Sequence, residues 1–266
     1  MKAWEELTIA DNFLFQKVMQ NPQLCKRFIE KLLHIKIKKI IYPHSEKTIE
    51  MSPTQKGIRL DLYVETDDGV IIDIEMQTTD KSGDFLPKRT RYYQAMIDLN
   101  ILEKRKDYIE LKKSYIIFIC TFDPFSDYNR KIYTFSNCCH EQDELQLGDD
   151  TIKIFLNTKG IVGELDSDID KFLSYVDGKA AEGKLTQDIA AEVNRIKQHK
   201  ETRLEYMTLE MEIKEQRRDA YNEAVMDNIC SLMTKKGWSY DEAFDIFDIL
   251  PKDRVKWKKQ IEKRKL

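Results

Sequence analysis

Apolar positions near the start of the chain recur three and four residues apart: Phe13, Leu14 and Val18, then Leu24, Phe28, Leu32 and Leu33. That spacing predicts two helices between Asp11 and His34 sharing one buried face. Asp11 is placed to cap the first, and Asn21 followed by Pro22 to open the second. The period then changes. IKIKKIIYP from Ile35 is rich in β-branched residues, and Gly57 to Thr78 alternates apolar with polar, which predicts a strand and then a β-hairpin. A helix is expected from about Pro87 to Glu103. Ser114 to Phe122 (SYIIFICTF) is continuously apolar and short for a helix, so it reads as a strand buried on both faces at the centre of a sheet. RKIYTFSN and TIKIFLN add two strands, separated by a polar turn region around Gly148, Asp149 and Asp150. Helices and strands alternating over roughly the first 160 residues indicate an α/β or α+β fold with a mixed sheet.

Beyond Asp166 strand signals stop, and Thr186 to Lys236 contains hardly any helix breaker. The expected organisation is a domain over residues 1–165 and a helical region over 166–266. Leu204, Met207, Met211, Tyr221, Val225, Ile229 and Leu232 fall on one helical stripe, which predicts a packing seam. Gly237 can end that helix, Ser239 with Glu242 forms a capping box, and Pro251 opens a last helix. There is no internal repeat.

Composition changes this picture little. Of 266 residues only 9 are Gly and 6 Pro, so helix predominates and collagen-like or low-complexity chains are excluded. With 44 basic against 47 acidic residues the net charge is −3, so any contact with nucleic acid needs a local patch. The five cysteines are odd in number and never spaced CxxC, which fits a reducing cytosol. No secretory leader or membrane span is read, so a cytoplasmic protein is expected.

The candidate chemistry lies in the hairpin GIRLDLYVETDDGVIIDIEMQT. Ile58, Leu60, Leu62 and Val64 alternate with Arg59, Asp61, Tyr63 and Glu65; Val70, Ile72, Ile74 and Met76 alternate with Asp73, Glu75 and Gln77. For the two dry faces to coincide, paired residue numbers need an even sum. A loop of Asp67, Asp68 and Gly69, with Gly69 left-handed, supplies it and sets Asp61 opposite Glu75. Like charges so placed repel. Two readings follow: water relieves the repulsion on the wet side of an amphipathic hairpin, or a divalent cation does so, with Gln77 pointing toward the same ion.

Asp61, then E75-x-Q77, then R89-T-R91-Y92-Y93 on the next helix resembles the PD-(D/E)XK nuclease superfamily. Together with ADNFLFQKVM, GIRLDLYVET, DIEMQ, FICTFDPF and IFLNTKG in this order, it is similar to the recombination-promoting nuclease and putative transposase group. The resemblance covers roughly the first 160 residues. It implies a restriction-endonuclease-like α/β core, a central mixed sheet flanked by helices, followed by a helical C-terminal region. It implies that Asp61 and Glu75 bind Mg²⁺ or Mn²⁺, and that Gln77 stands where the superfamily usually has Lys. Gln supplies hydrogen bonds without charge, so Arg89 or Arg91 is a candidate to restore one near the scissile phosphate. Asp11 is a candidate extra acid of the site beside its capping role. Tyr92 and Tyr93 are candidate nucleic-acid contacts beside ordinary packing.

Cys138, Cys139 and His140 cannot converge on one strand face, and the four His show no metal-ligand spacing. Asp123 before Pro124 is first a turn signal. From Lys252 onward eight basic and two acidic residues form the best local patch for phosphates, a pattern that also suits a helix C-terminus. The expected function is a Mg²⁺-dependent DNA endonuclease associated with recombination, transposition or mobile elements. The alternative is a catalytically weak, nuclease-derived DNA-binding or protein-interaction module. RNA cleavage, which the same chemistry permits, is a third and weaker alternative, and the helical C-terminal region is a candidate homodimer interface.

Overall fold

The computed structural model describes residues 2–49, 57–80 and 85–264. The described chain separates into two compact units, Lys2–Thr202 and Arg203–Leu266. In the first, α1 (Asn12–Met19) and α2 (Pro22–Leu33) form where the helical period predicts them. The Asn21 side chain caps α2 by accepting from the N–H groups of Gln23 and Leu24. Six strands follow: β1 (Ile40–Ile49), β2 (Ile58–Thr66), β3 (Ile71–Gln77), β4 (Ser114–Cys120), β5 (Ile132–Phe135) and β6 (Thr151–Asn157).

They form one mixed sheet in the order β1-β2-β3-β4-β6-β5. The pairs β3/β4 and β4/β6 are parallel and the others antiparallel. Every residue of β4 is buried, as a central strand flanked by two parallel neighbours requires. Helix α3 (Leu86–Ile101) makes the crossover from β3 to β4 and packs Leu86, Tyr93, Met96 and Ile97 against Ile71, Ile116 and Phe118 of the sheet. This is an α/β fold with a central mixed sheet flanked by helices, as expected from the sequence.

The compositional change at Asp166 does not coincide with the edge of the first unit. α4 (Ser167–Val176) and α5 (Lys184–Gln198) belong to it and pack on α1 and α2. Their buried residues Ile169, Phe172, Leu173, Leu185, Ile189 and Val193 show why: charge-rich as they are, both helices carry a full apolar face.

α6 (Lys200–Lys236) leads into the second unit, where α7 (Tyr240–Ile246) and α8 (Pro251–Arg264) follow. Gly237, at φ +69°, ends α6, and the reciprocal Ser239–Glu242 capping box opens α7. The expected single seam along α6 is only half realised. Val225, Met226 and Ile229 pack with Ala243, Phe244 and Ile261, whereas Leu204, Met207, Met211 and Tyr221 are exposed. The short α7 and α8 cover only the C-terminal turns of a helix that rises about 1.5 Å per residue over its length.

Candidate active site

The hairpin is built as its alternation predicts. Thr66 N–H donates to Val70 O and Gly69 N–H to Thr66 O, closing a loop of Asp67, Asp68 and Gly69, with Gly69 left-handed at φ +83°. The ladder pairs Tyr63 with Asp73 and Leu62 with Ile74. Asp61 and Glu75 are the next residues on the two strands, where the backbone ladder stops. There the side chains take over from the backbone: Asp61 N–H donates to Glu75 Oε1 at 2.8 Å, and Met76 N–H donates to Asp61 Oδ2 at 3.1 Å. Each acid thus satisfies an N–H of the opposite strand, which locks the two carboxylates side by side.

This face is not wet. Asp61 is 9 % exposed, Glu75 1 % and Asp73 0 %, so bulk water does not relieve the repulsion between them. Other elements supply the partners. From α1, Gln16 Nε2 donates to Asp61 Oδ1 at 3.2 Å. From α3, Arg89 Nη2 donates to Glu75 Oε2 at 2.6 Å and Nη1 to Gln77 Oε1 at 3.0 Å. Arg89 Nε donates to the Tyr93 hydroxyl at 2.8 Å, and its guanidinium lies 5.1 Å from the ring centroids of both Tyr93 and Phe118. A planar fork held on aromatic faces is a rigid cation, unlike a mobile Lys. Gln77 Nε2 donates to Thr79 O at 2.7 Å, which turns its amide oxygen toward Arg89.

Burial raises the pKa of Asp61, against the Met76 N–H, Arg89 and Gln16, which favour the charged form. Glu75 is raised by burial and by the Asp61 charge, against Arg89. The Asp73 carboxyl is pushed well above the carboxylate range, through burial and then the charges of Glu75 and Asp61, and neither of its oxygens has a hydrogen-bond partner among the described residues. Burial makes these three carboxyls hold their protons more tightly than exposed ones, a divalent cation would favour their ionised forms, and hard oxygen donors of this kind suit Mg²⁺ or Mn²⁺. Each oxygen of Asp61 and Glu75 accepts one hydrogen bond and keeps a second lone pair. Among the described residues no three His, Cys, Asp or Glu converge as a ligand set. The carboxylates of Asp61 and Glu75 are the oxygen donors present for a divalent cation, which would keep much of its water there.

The other candidates divide. Arg89 joins the site; Arg91, two residues on and so on a different side of α3, is exposed. Tyr92 is partly exposed on the outer side of the helix, while Tyr93 is buried under Arg89. Asp11 sits at the N-cap position of α1, but its side chain does not cap the helix and does not join the acids. It accepts from Thr8 N–H at 2.8 Å and pairs with Lys2. In the C-terminal basic run Arg254 is committed to Asp241 and Asp245, and the last two residues lie outside the described residues. Two participants were not singled out from the sequence. Asp73 had a signal in the alternation it shares with Glu75; Gln16 had only its place one turn before Met19 on the buried face of α1.

The model of the PD-(D/E)XK nuclease family transposases matches residues 12–234. The chain belongs to this family. The match runs from α1, which supplies Gln16, through most of α6. No curated protein and no solved structure matches the chain. Among the described residues no helix is long and apolar enough to cross a membrane.

Proposed function

We propose that this chain is a metal-dependent endonuclease that hydrolyses phosphodiester bonds in DNA, acting in recombination, transposition or related mobile-element chemistry. The observation that carries the reading is the interlocked pair Asp61 and Glu75, buried on one hairpin face with Arg89 against them. Asp61 and Glu75 are the residues that would hold Mg²⁺ or Mn²⁺, which when bound supplies charge neutralisation at phosphate and a more acidic water. Gln77 orients water or a phosphate oxygen through its amide. Arg89, fixed beside Gln77, supplies the positive charge that a Lys at position 77 would have brought, aimed where charge develops on the phosphoryl oxygens.

Gln77 also favours a second reading, a catalytically weak module that binds DNA or protein. Incubation of supercoiled plasmid with Mg²⁺ or Mn²⁺ separates the two. Nicking that stops with chelator and is lost in Asp61→Asn supports the enzyme; retained DNA binding with no nicking under either ion supports the module. RNA run in parallel tests substrate preference. The exposed stripe Leu204, Met207 and Met211 is the surface through which a homodimer would form, and light scattering of Met207→Glu beside wild type tests it.

A further inference from the structure

We infer that Gln16 of α1 is a positioning residue of the candidate ion site, acting through Asp61; the inference rests on the reading that Asp61 and Glu75 hold a divalent cation. Asp61 is gripped from two directions that differ in kind. The Met76 N–H on Oδ2 belongs to the hairpin itself and follows from its register. The Gln16 Nε2 on Oδ1 arrives from a helix 45 residues earlier in the chain and is a buried side chain–side chain contact. Two donors, one per oxygen, fix the plane of the carboxylate, so each oxygen presents its remaining lone pair in a set direction.

A buried amide at this position is not explained by packing. Its helical neighbours Leu14, Phe15, Val18 and Met19 are fully buried apolar side chains, and an apolar residue would fill the same space without the desolvation that a buried amide suffers. Nor does Gln16 neutralise Asp61, since it carries no charge. What it adds is direction, and it leaves the anionic charge of the acid pair available to a cation. Partners of this type, which orient a ligating side chain without touching the ion, alter metal affinity by roughly 10- to 100-fold when removed. Helix α1 thereby becomes part of the site, through Gln16 and not through Asp11, whose carboxylate is turned to Thr8 and Lys2.

The test is Mn²⁺ titration calorimetry on the full chain, comparing wild type with Gln16→Met, which keeps the length and bulk of the side chain and deletes the donor. A Mn²⁺ Kd raised by about tenfold or more, with the metal-free melting temperature within a few degrees of wild type, supports the assignment. Equal Mn²⁺ affinity in the two proteins overturns it while leaving the two-acid site intact. No Mn²⁺ binding by wild type overturns both. Should Gln16→Met fail to fold, Gln16→Glu sets a third carboxylate beside Asp61. A larger Mn²⁺-induced rise in melting temperature than in wild type then supports the placement, and an equal or smaller rise refutes it.

Discussion

The two faces of the β2–β3 hairpin share one backbone and are both buried, yet they serve opposite ends. One carries Leu62, Val64, Ile72, Ile74 and Met76, each nearly or wholly inaccessible. Burying such side chains contributes about 1.5–3 kcal/mol apiece. The other carries Asp61, Asp73, Glu75 and Gln77, also nearly or wholly inaccessible, with Arg89 of α3 on Glu75 and Gln77 and Gln16 of α1 on Asp61. Ionised carboxyls lose solvation there, and the Arg89–Glu75 pair does not offset it for all three. The first face stabilises the fold, and the second opposes it until a cation or a proton arrives. A face that buries acids where its neighbour buries aliphatics opposes folding, which is where a functional site is expected, and the proposed ion site lies on it.

Substitutions on the two faces should therefore separate stability from function. Asp61→Asn is expected to lower plasmid nicking by at least about a hundredfold and to abolish Mn²⁺ binding. Its melting temperature should hold or rise slightly, because Gln16 can turn its amide to match the new one. Ile74→Ala, next in the same hairpin but on the apolar face, should cost about 2–5 kcal/mol in urea unfolding, with Mn²⁺ affinity of the folded protein unchanged. If Ile74→Ala loosened the ion site as much as Asp61→Asn, the contrast between the faces would be void.

Arg89→Met should reduce cleavage strongly, and Arg89→Lys should recover only part of it, since a Lys cannot span Glu75 and Gln77 with a planar fork. Nicking rates of the two variants at saturating Mn²⁺ give the comparison; equal rates for Lys and wild type would show that charge alone suffices.

The acid face also sets the pH dependence. Carboxyls whose native pKa values are raised stabilise the fold below about pH 4, where unfolded carboxyls titrate, and this contribution is lost as pH rises through the raised native values. The metal-free protein should thus melt lower at about pH 8 than at about pH 5.5, and Mn²⁺ should raise the melting temperature more at the higher pH, where the ligands are ionised. The smallest effect is expected of Asp73→Asn. It should raise the melting temperature at about pH 8 by a few degrees, with the gain fading toward acid pH.

Much of this was legible in the chain. Period-two alternation around Asp67, Asp68 and Gly69 fixes the hairpin register, because a slip of one residue would turn Leu62 and Ile74 to the acid side. The continuous apolar run at Ser114 identifies the central strand, and Ser239 with Glu242 marks a helix start. What was not legible depends on contacts distant in sequence. Alternation cannot say whether a polar face meets water or a helix, so it left Asp73 without an assigned role. Gln16 meets Asp61 only because α1 packs against the hairpin. The stripe along α6 has the same spacing in its exposed and buried halves, and only the reach of α7 and α8 divides them.

The most direct measurement is anomalous scattering from a crystal soaked in Mn²⁺. A peak about 2.1–2.2 Å from carboxylate oxygens of both Asp61 and Glu75, absent in Asp61→Asn, is the predicted result. A saturating soak with no peak between β2 and β3, or a peak held by other residues, would contradict it.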